Sequence, residues 1–345
     1  MAILSRILEA RGAYVPCPLA PMPAHRFSIA ALIGLAAWVA LLFAPLGTDG
    51  GAAAELAARL LLLAILATVP LLLDAVADPL GRDAAPLRWA SRAVGAAGLL
   101  AAVSFLLPAG PQAGALTLPW LGATALVGAE GLRRAWAQWR ARRWIPEEAL
   151  LAVGLAALPG GAVWLALSRT GLDPGPYGAF VVLLTAVHFH YATFVAPVWG
   201  GLLGRVLRAR MPRAMGAFTA AAAALVVGTP LTAVGIAVSR TPAGGTPVEA
   251  AGVLGVTLGA IGLGALGLVV AGRLDGLWGR LFVGVSGGAL ALAMGLALWF
   301  HAGGALGVAA PDAVWMVPRH GWLNAVGFGL WGALGWRRLR PRAAA

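Results

Sequence analysis

AGVLGVTLGAIGLGALGLVVAG, Ala251 to Gly272, runs 22 residues without a charged side chain. A helix rises 1.5 Å per residue, so about 20 apolar residues cross the hydrocarbon core of a bilayer, and this stretch is long enough to do so. Similar apolar runs, bounded by Arg, Pro/Gly or acidic clusters, fall at 28–46, 54–73, 91–107, 115–131, 148–167, 177–203, 214–238, 248–271, 280–300 and 313–336. The whole chain agrees, with 60% hydrophobic residues, 11% charged and a mean hydropathy of +0.86. An ordinary soluble domain carries about 25% charged residues. The expected fold is all-α: a polytopic transmembrane helix bundle of about ten spans whose surroundings are the lipid bilayer.

The net charge of +12 invites comparison with nucleic-acid binders, and its distribution excludes that class. All 25 basic residues are arginines, set in short blocks between apolar runs and not in one basic stripe interleaved with aromatics. Counted by segment, 20 arginines fall on one side of the ten-span scheme. They are three in residues 1–26, Arg82 and Arg88, five in 132–147, four in 204–213, Arg273 and Arg280, and four in 337–345. The other side holds Arg169 and Arg240, while Arg59, Arg92 and Arg319 fall in or beside spans. Cytoplasmic loops are the arginine-rich ones, so both termini are expected in the cytoplasm. The domain scheme is then a cytoplasmic tail 1–26, a transmembrane helical domain 27–336 and a basic cytoplasmic tail 337–345. The first 26 residues, with prolines at 16, 18, 21 and 23, lack the apolar core of a cleavable signal peptide. A single cysteine, Cys17, builds no disulfide framework.

Small residues predict where helices meet. Gly255 with Gly259, and Gly284 with Gly288, stand four apart and favour close helix approach. LFAPLG after the first span and FVAPVWG at 194–200 look alike, a faint hint of inverted five-span halves.

Ionisable groups inside hydrocarbon are costly and suggest function by default. Asp74 and Glu130 fall at span ends, and Glu55 is set to pair with Arg59 at i,i+4. TAVHFHYATF, Thr185 to Phe194, sets His188 and His190 near the middle of the sixth span, about 16 to 20 Å from its outer end. Residues two apart on a helix point about 200° from each other, so the two imidazoles serve different neighbours and cannot share one metal from a regular helix. Thr185, His188 and Ala192 share one face with Tyr191 at its flank, and Ala186, His190 and Phe194 share the other. In MVPRHGWLNAVGFGLWGALGW, Met316 to Trp336, the residues Met316, His320, Asn324 and Phe328 align at i,i+4. If that span begins near Gly321, Arg319 and His320 lie at the outer interface, with Arg319 free to pair with Asp312.

These two stretches together resemble the YndJ-like family of bacterial multi-pass membrane proteins. The resemblance is carried by His188, Phe189, His190, Tyr191 and Ala192, then His320, Gly321, Asn324, Ala325, Gly327 and Phe328, with Thr193 standing where a small residue is expected. It implies a transporter-like protein of the cell membrane and no particular substrate.

Three functions follow as expectations. The first is a carrier of a small solute or ion, using Thr185, His188, His190, Tyr191, Arg319, His320 and Asn324 in the outer half of the bundle, with the sixth and tenth spans in contact. The second is a haem- or metal-binding oxidoreductase or electron carrier ligated by His188, His190 and His320. The third is a structural or assembly factor whose imidazoles only hydrogen-bond across helices. HExxH, P-loop and CxxC signatures are missing, so no common catalytic motif marks an enzyme and any transport is secondary or passive.

Overall fold

The computed structural model describes residues 29–48, 50–77, 84–175, 177–239 and 247–339. The expected tail 1–26 and residues 340–345 of the expected tail 337–345, as well as Arg82 and Arg240, lie outside the described residues, while 337–339 continue the last helix. Within those limits the chain is all helical, without strands. Each of the ten apolar runs falls on a helical segment. In chain order these are α1 (Ile29–Leu41), α2 (Gly51–Val76), α3 (Ala85–Ser104), α4 (Pro111–Arg140), α5 (Pro146–Thr170), α6 (Ala179–Arg210), α7 (Met215–Ser239), α8 (Pro247–Ala271), α9 (Leu277–Leu306) and α10 (313–339). The seven segments α2 and α4 to α9 are long and apolar enough to cross a membrane. Spans of this kind imply that the bundle contacts the lipid bilayer.

Helix ends run further than the apolar runs. The expected 132–147 loop shrinks to 141–145, because α4 continues through Arg133, Arg134 and Arg140. Arg, Ala, Gln and Leu all favour helix, and Glu130 accepts from Arg133 and Arg134, each at 2.7 Å, one turn along. Likewise α6 runs to Arg210, and α3 begins at Ala85 with Pro86 in its first turn.

Ion pairs gather at one end of the bundle. Arg205 grips Glu148 with two bonds of 2.6 and 2.8 Å, Arg208 pairs with the buried Glu147, Arg210 reaches Asp275 and Arg337 reaches Asp74. They join the end of α6 to the start of α5 and to the α8–α9 turn, and the end of α10 to the end of α2. The opposite end is held differently, by Arg169, which sequence reading leaves as a plain loop residue. It lies in the last turn of α5, 2% exposed, and donates to the carbonyls of Gly47, Ser104 and Leu107 at 3.0, 3.0 and 2.6 Å. Its guanidinium also sits 4.6 Å from the centre of the Phe105 ring. The Glu55–Arg59 pair forms as expected, at 2.7 Å.

The segment α2 is the enclosed centre, 89% buried over its most apolar window, against 22% for the α7 region. It is wrapped by α1, α3, α6 and α10. Close approach uses glycine as expected on α8: a Cβ on Gly259 would stand 2.5 Å from the Leu225 nitrogen, and one on Gly255 3.1 Å from the Gly228 Cα. On α9 the expectation needs correcting. Gly284 and Gly288 meet only side chains at ordinary distances, and the tight contact belongs to Gly287, 2.6 Å from the Gly264 carbonyl oxygen. The two proline stretches differ in conformation as well, since Pro45 lies in a loop and Pro197 within α6.

Candidate functional site

Three of the segments do not stay α-helical. Residues Ala64–Thr68 of α2, Phe189–Val195 of α6 and Leu323–Leu330 of α10 are π-helical, with i→i+5 bonding that widens the turn. All three pack on one another. The meeting is close because small residues allow it: a Cβ on Gly329 would stand 2.9 Å from Tyr191, and one on Gly321 2.6 Å from Leu60. These glycines come from the tenth-span motif, which gives that motif a packing role beside any chemical one.

Beside this junction lies a cavity of about 270 Å³, close to the lower end of the ~300–1,000 Å³ usual for ligand pockets. Its polar lining is His188 and Tyr191 from α6 and His320 and Asn324 from α10; the rest is apolar, contributed by α2, α6, α7, α8, α9 and α10. Met316 and Phe328 also line it, so the i,i+4 face of Met316, His320, Asn324 and Phe328 is formed as the spacing predicts. His188 and Phe300 are exposed at its rim, so the cavity opens at the helix surface.

The polar groups are tied mainly to backbone carbonyls. His188 Nδ1 lies 2.7 Å from the Leu184 oxygen, and Tyr191 donates its hydroxyl to the Leu60 oxygen at 2.9 Å. His320 Nδ1 lies 2.9 Å from the Ala293 oxygen on α9, while its Nε2 meets the Asn324 amide nitrogen at 3.1 Å. The expected contact of sixth and tenth spans is therefore present at the π segments. His188 and Asn324 line one space, with no hydrogen bond between them among the described residues.

The remaining predicted site residues lie elsewhere. His190 is fully buried on the far side of α6, accepting from Trp120 Nε1 at 3.2 Å and holding the Ala186 oxygen at 2.8 Å through Nδ1. A Cβ on Gly161 of α5 would stand 2.8 Å from that ring, so the imidazole fills a slot between α4 and α5. His188, His190 and His320 thus do not share one space. Thr185 turns its hydroxyl back to the Val181 oxygen at 2.8 Å and does not line the cavity. Arg319 is exposed, 4.2 Å above the Trp315 ring. Its expected partner Asp312 instead caps α10, accepting from the Trp315 amide at 2.7 Å, so the helix is already formed at Ala313, ahead of Arg319 and His320. Among the described residues no group of three His, Cys, Asp or Glu side chains is arranged to hold a metal ion.

What sequence reading misses are the partners. Trp120 lies 70 residues from His190 and carries no motif, and the Leu60 and Ala293 carbonyls have no sequence signature at all.

Comparison with known proteins agrees with the two motifs. The YndJ-like protein family matches residues 59–328, well over half of the chain. An uncharacterised membrane protein YndJ from Bacillus subtilis (strain 168) is 44% identical over 62 residues, which is 18% of this chain and 11% of that protein. The aligned stretch thus spans about a tenth of that relative's length. No solved structure matches the chain.

Proposed function

Because the chain belongs to the YndJ-like family of membrane proteins, we propose that it is a ten-span carrier of the bacterial cell membrane with both termini in the cytoplasm. In this reading His188, Tyr191, His320 and Asn324 bind a small solute in the cavity they line. His190 is structural, and Thr185 and Arg319 stand outside the site.

One observation carries the reading: three π-helical segments converge beside the cavity that holds these four polar side chains. Single π turns inside helices are rare and recur at functional sites, because the extra residue frees backbone groups and loosens the local packing. Polar groups between spans mark ligand and ion pathways for a related reason, since hydrocarbon penalises any that lack a partner. The arginine-rich end, with its ion pairs to Asp74, Glu147, Glu148 and Asp275, supports the orientation through the same charge rule that the sequence suggests. The chain then divides into a membrane domain 27–336 and tails 1–26 and 337–345.

The test uses single cysteines at Ala192 and Ala325, small residues of the cavity wall, in a Cys17→Ala background. A membrane-impermeant thiol reagent is applied to right-side-out and to inverted vesicles. A carrier that presents the cavity to each side in turn is labelled in both preparations. Labelling from one side alone, or from neither, defeats the carrier reading.

A further inference from the structure

The hydrogen-bonding character of the cavity follows from the bonds already made. His188 Nδ1 faces the Leu184 carbonyl at 2.7 Å. A carbonyl only accepts, so Nδ1 bears the hydrogen and Nε2 of the neutral ring is a bare lone pair. His320 obeys the same logic: Nδ1 donates to the Ala293 oxygen and Nε2 accepts from Asn324 Nδ2. Asn324 Nδ2 also lies 3.0 Å from the His320 carbonyl oxygen, which rules out the flipped amide because two oxygens would then face each other. The amide oxygen Oδ1 is thereby left without a protein donor among the described residues. Tyr191 spends its hydroxyl hydrogen on the Leu60 carbonyl, and the Thr68 hydroxyl stands beside its oxygen.

Every donor on the wall is thus committed, and what remains are two acceptors, His188 Nε2 and Asn324 Oδ1. No carboxylate lines the cavity to balance a cation, and no arginine lines it to hold an anion. The other lining side chains are aliphatic, aromatic, methionine or glycine.

From this we infer that the cavity takes an uncharged, largely apolar molecule that brings its own hydroxyl or N–H donor, and that it discriminates against aprotic analogues and anions of the same shape. The inference rests on the cavity being a ligand site, as proposed above. A site equipped with unpaired polar groups rejects a ligand lacking the matching group, because those groups then stay unsatisfied in an apolar space. The exposed rim at His188 and Phe300 lets such a molecule enter at the helix surface.

The experiment compares three probes of one ring system: 1-naphthol, 1-methoxynaphthalene and 1-naphthalenesulfonate. Each is titrated into the full-length protein in nanodiscs, with histidine nitrogens labelled by ¹⁵N. The readout is the saturable shift of the His188 Nε2 resonance, assigned by its loss in His188→Gln. The expected result is that 1-naphthol binds at least about tenfold more tightly than its methyl ether, equivalent to ~1.4 kcal/mol, with the sulfonate weaker still. Equal affinity for naphthol and ether, or tighter binding of the sulfonate, overturns the donor preference while leaving a ligand site standing. A resonance that none of the three shifts saturably overturns the ligand-site reading itself, and the inference with it.

Discussion

Replacing Trp120 by Phe removes one hydrogen-bond donor together with part of the ring, and the structure says where the cost lands. Trp120 and His190 are both fully buried, their rings near parallel at 16° with centroids 6.1 Å apart, and the indole N–H is the donor to His190 Nε2. With Nδ1 held by Ala186, Trp120→Phe leaves Nε2 unsatisfied. A buried acceptor stripped of its donor costs about 1–3 kcal/mol. Hydrogen bonds between helices in membranes couple more weakly, about 0.6 kcal/mol on average and ~1.7 at most, because the unfolded chain in lipid also finds partners. The second figure applies to the pair and the first to the single change. The prediction is therefore that Trp120→Phe destabilises by about 1–3 kcal/mol, part of which is lost ring volume, whereas the double-mutant cycle with His190→Leu gives a coupling of about 0.6–1.7 kcal/mol. Unfolding free energies measured by steric trapping in bicelles provide both. Additivity within ~0.3 kcal/mol refutes the bond and removes the reason for treating His190 as structural.

Arg169→Leu leaves three carbonyls without their charged donor and is expected to cost about 3 kcal/mol or more, seen as a fall of roughly 6 °C or more in the melting midpoint in detergent; Arg169→Lys recovers part of it. Asp173 accepts from the Gly178 and Gly175 amides at 2.7 and 3.2 Å, and the Gly178 bond, the larger influence, holds its carboxyl below the usual aspartate range. Its hold on the Gly175 and Gly178 amides is thus complete above the unfolded aspartate value and disappears as pH falls through the lowered one. The protection factor of the Gly178 amide should fall in acid, and Asp173→Asn should show low protection without that transition. Tyr191→Phe should leave the fold intact and open the Leu60 carbonyl to the cavity, converting part of the wall's demand for donors into a stronger one; a naphthol affinity unchanged or lower than wild type contradicts this. Reporter fusions at the two ends should both be cytoplasmic, and opposite locations would mean an odd number of spans.

Much of this architecture is legible in the sequence because hydrocarbon imposes a simple rule on composition. Apolar runs of fixed length mark the helices, arginine marks their ends, and the rarity of polar groups inside the runs draws attention to His188, His320 and Asn324. The i,i+4 spacing from Met316 to Phe328 even gives the right wall of the cavity. Thr185 lies outside the cavity lining for a physical reason. Its assignment assumes regular α-helix beyond His188, whereas i→i+5 bonding sets in at Phe189 and the threonine hydroxyl is absorbed by Val181. Arg319 does not meet Asp312, which is taken by the helix cap. Nothing in a single sequence encodes that Trp120 answers His190, or that Arg169 serves three carbonyls up to 122 positions away.

The central claim is that the HFHYA and HGWLNA stretches wall one cavity, with His188 turned toward it and His190 away. Cysteine pairs made in the Cys17→Ala background test that directly, with a short bifunctional thiol reagent and full-length protein in native membranes. The account predicts that 188 with 324 cross-links efficiently and that 190 with 324 does not. Equal cross-linking of both pairs, or reaction of 190 with 324 alone, contradicts it.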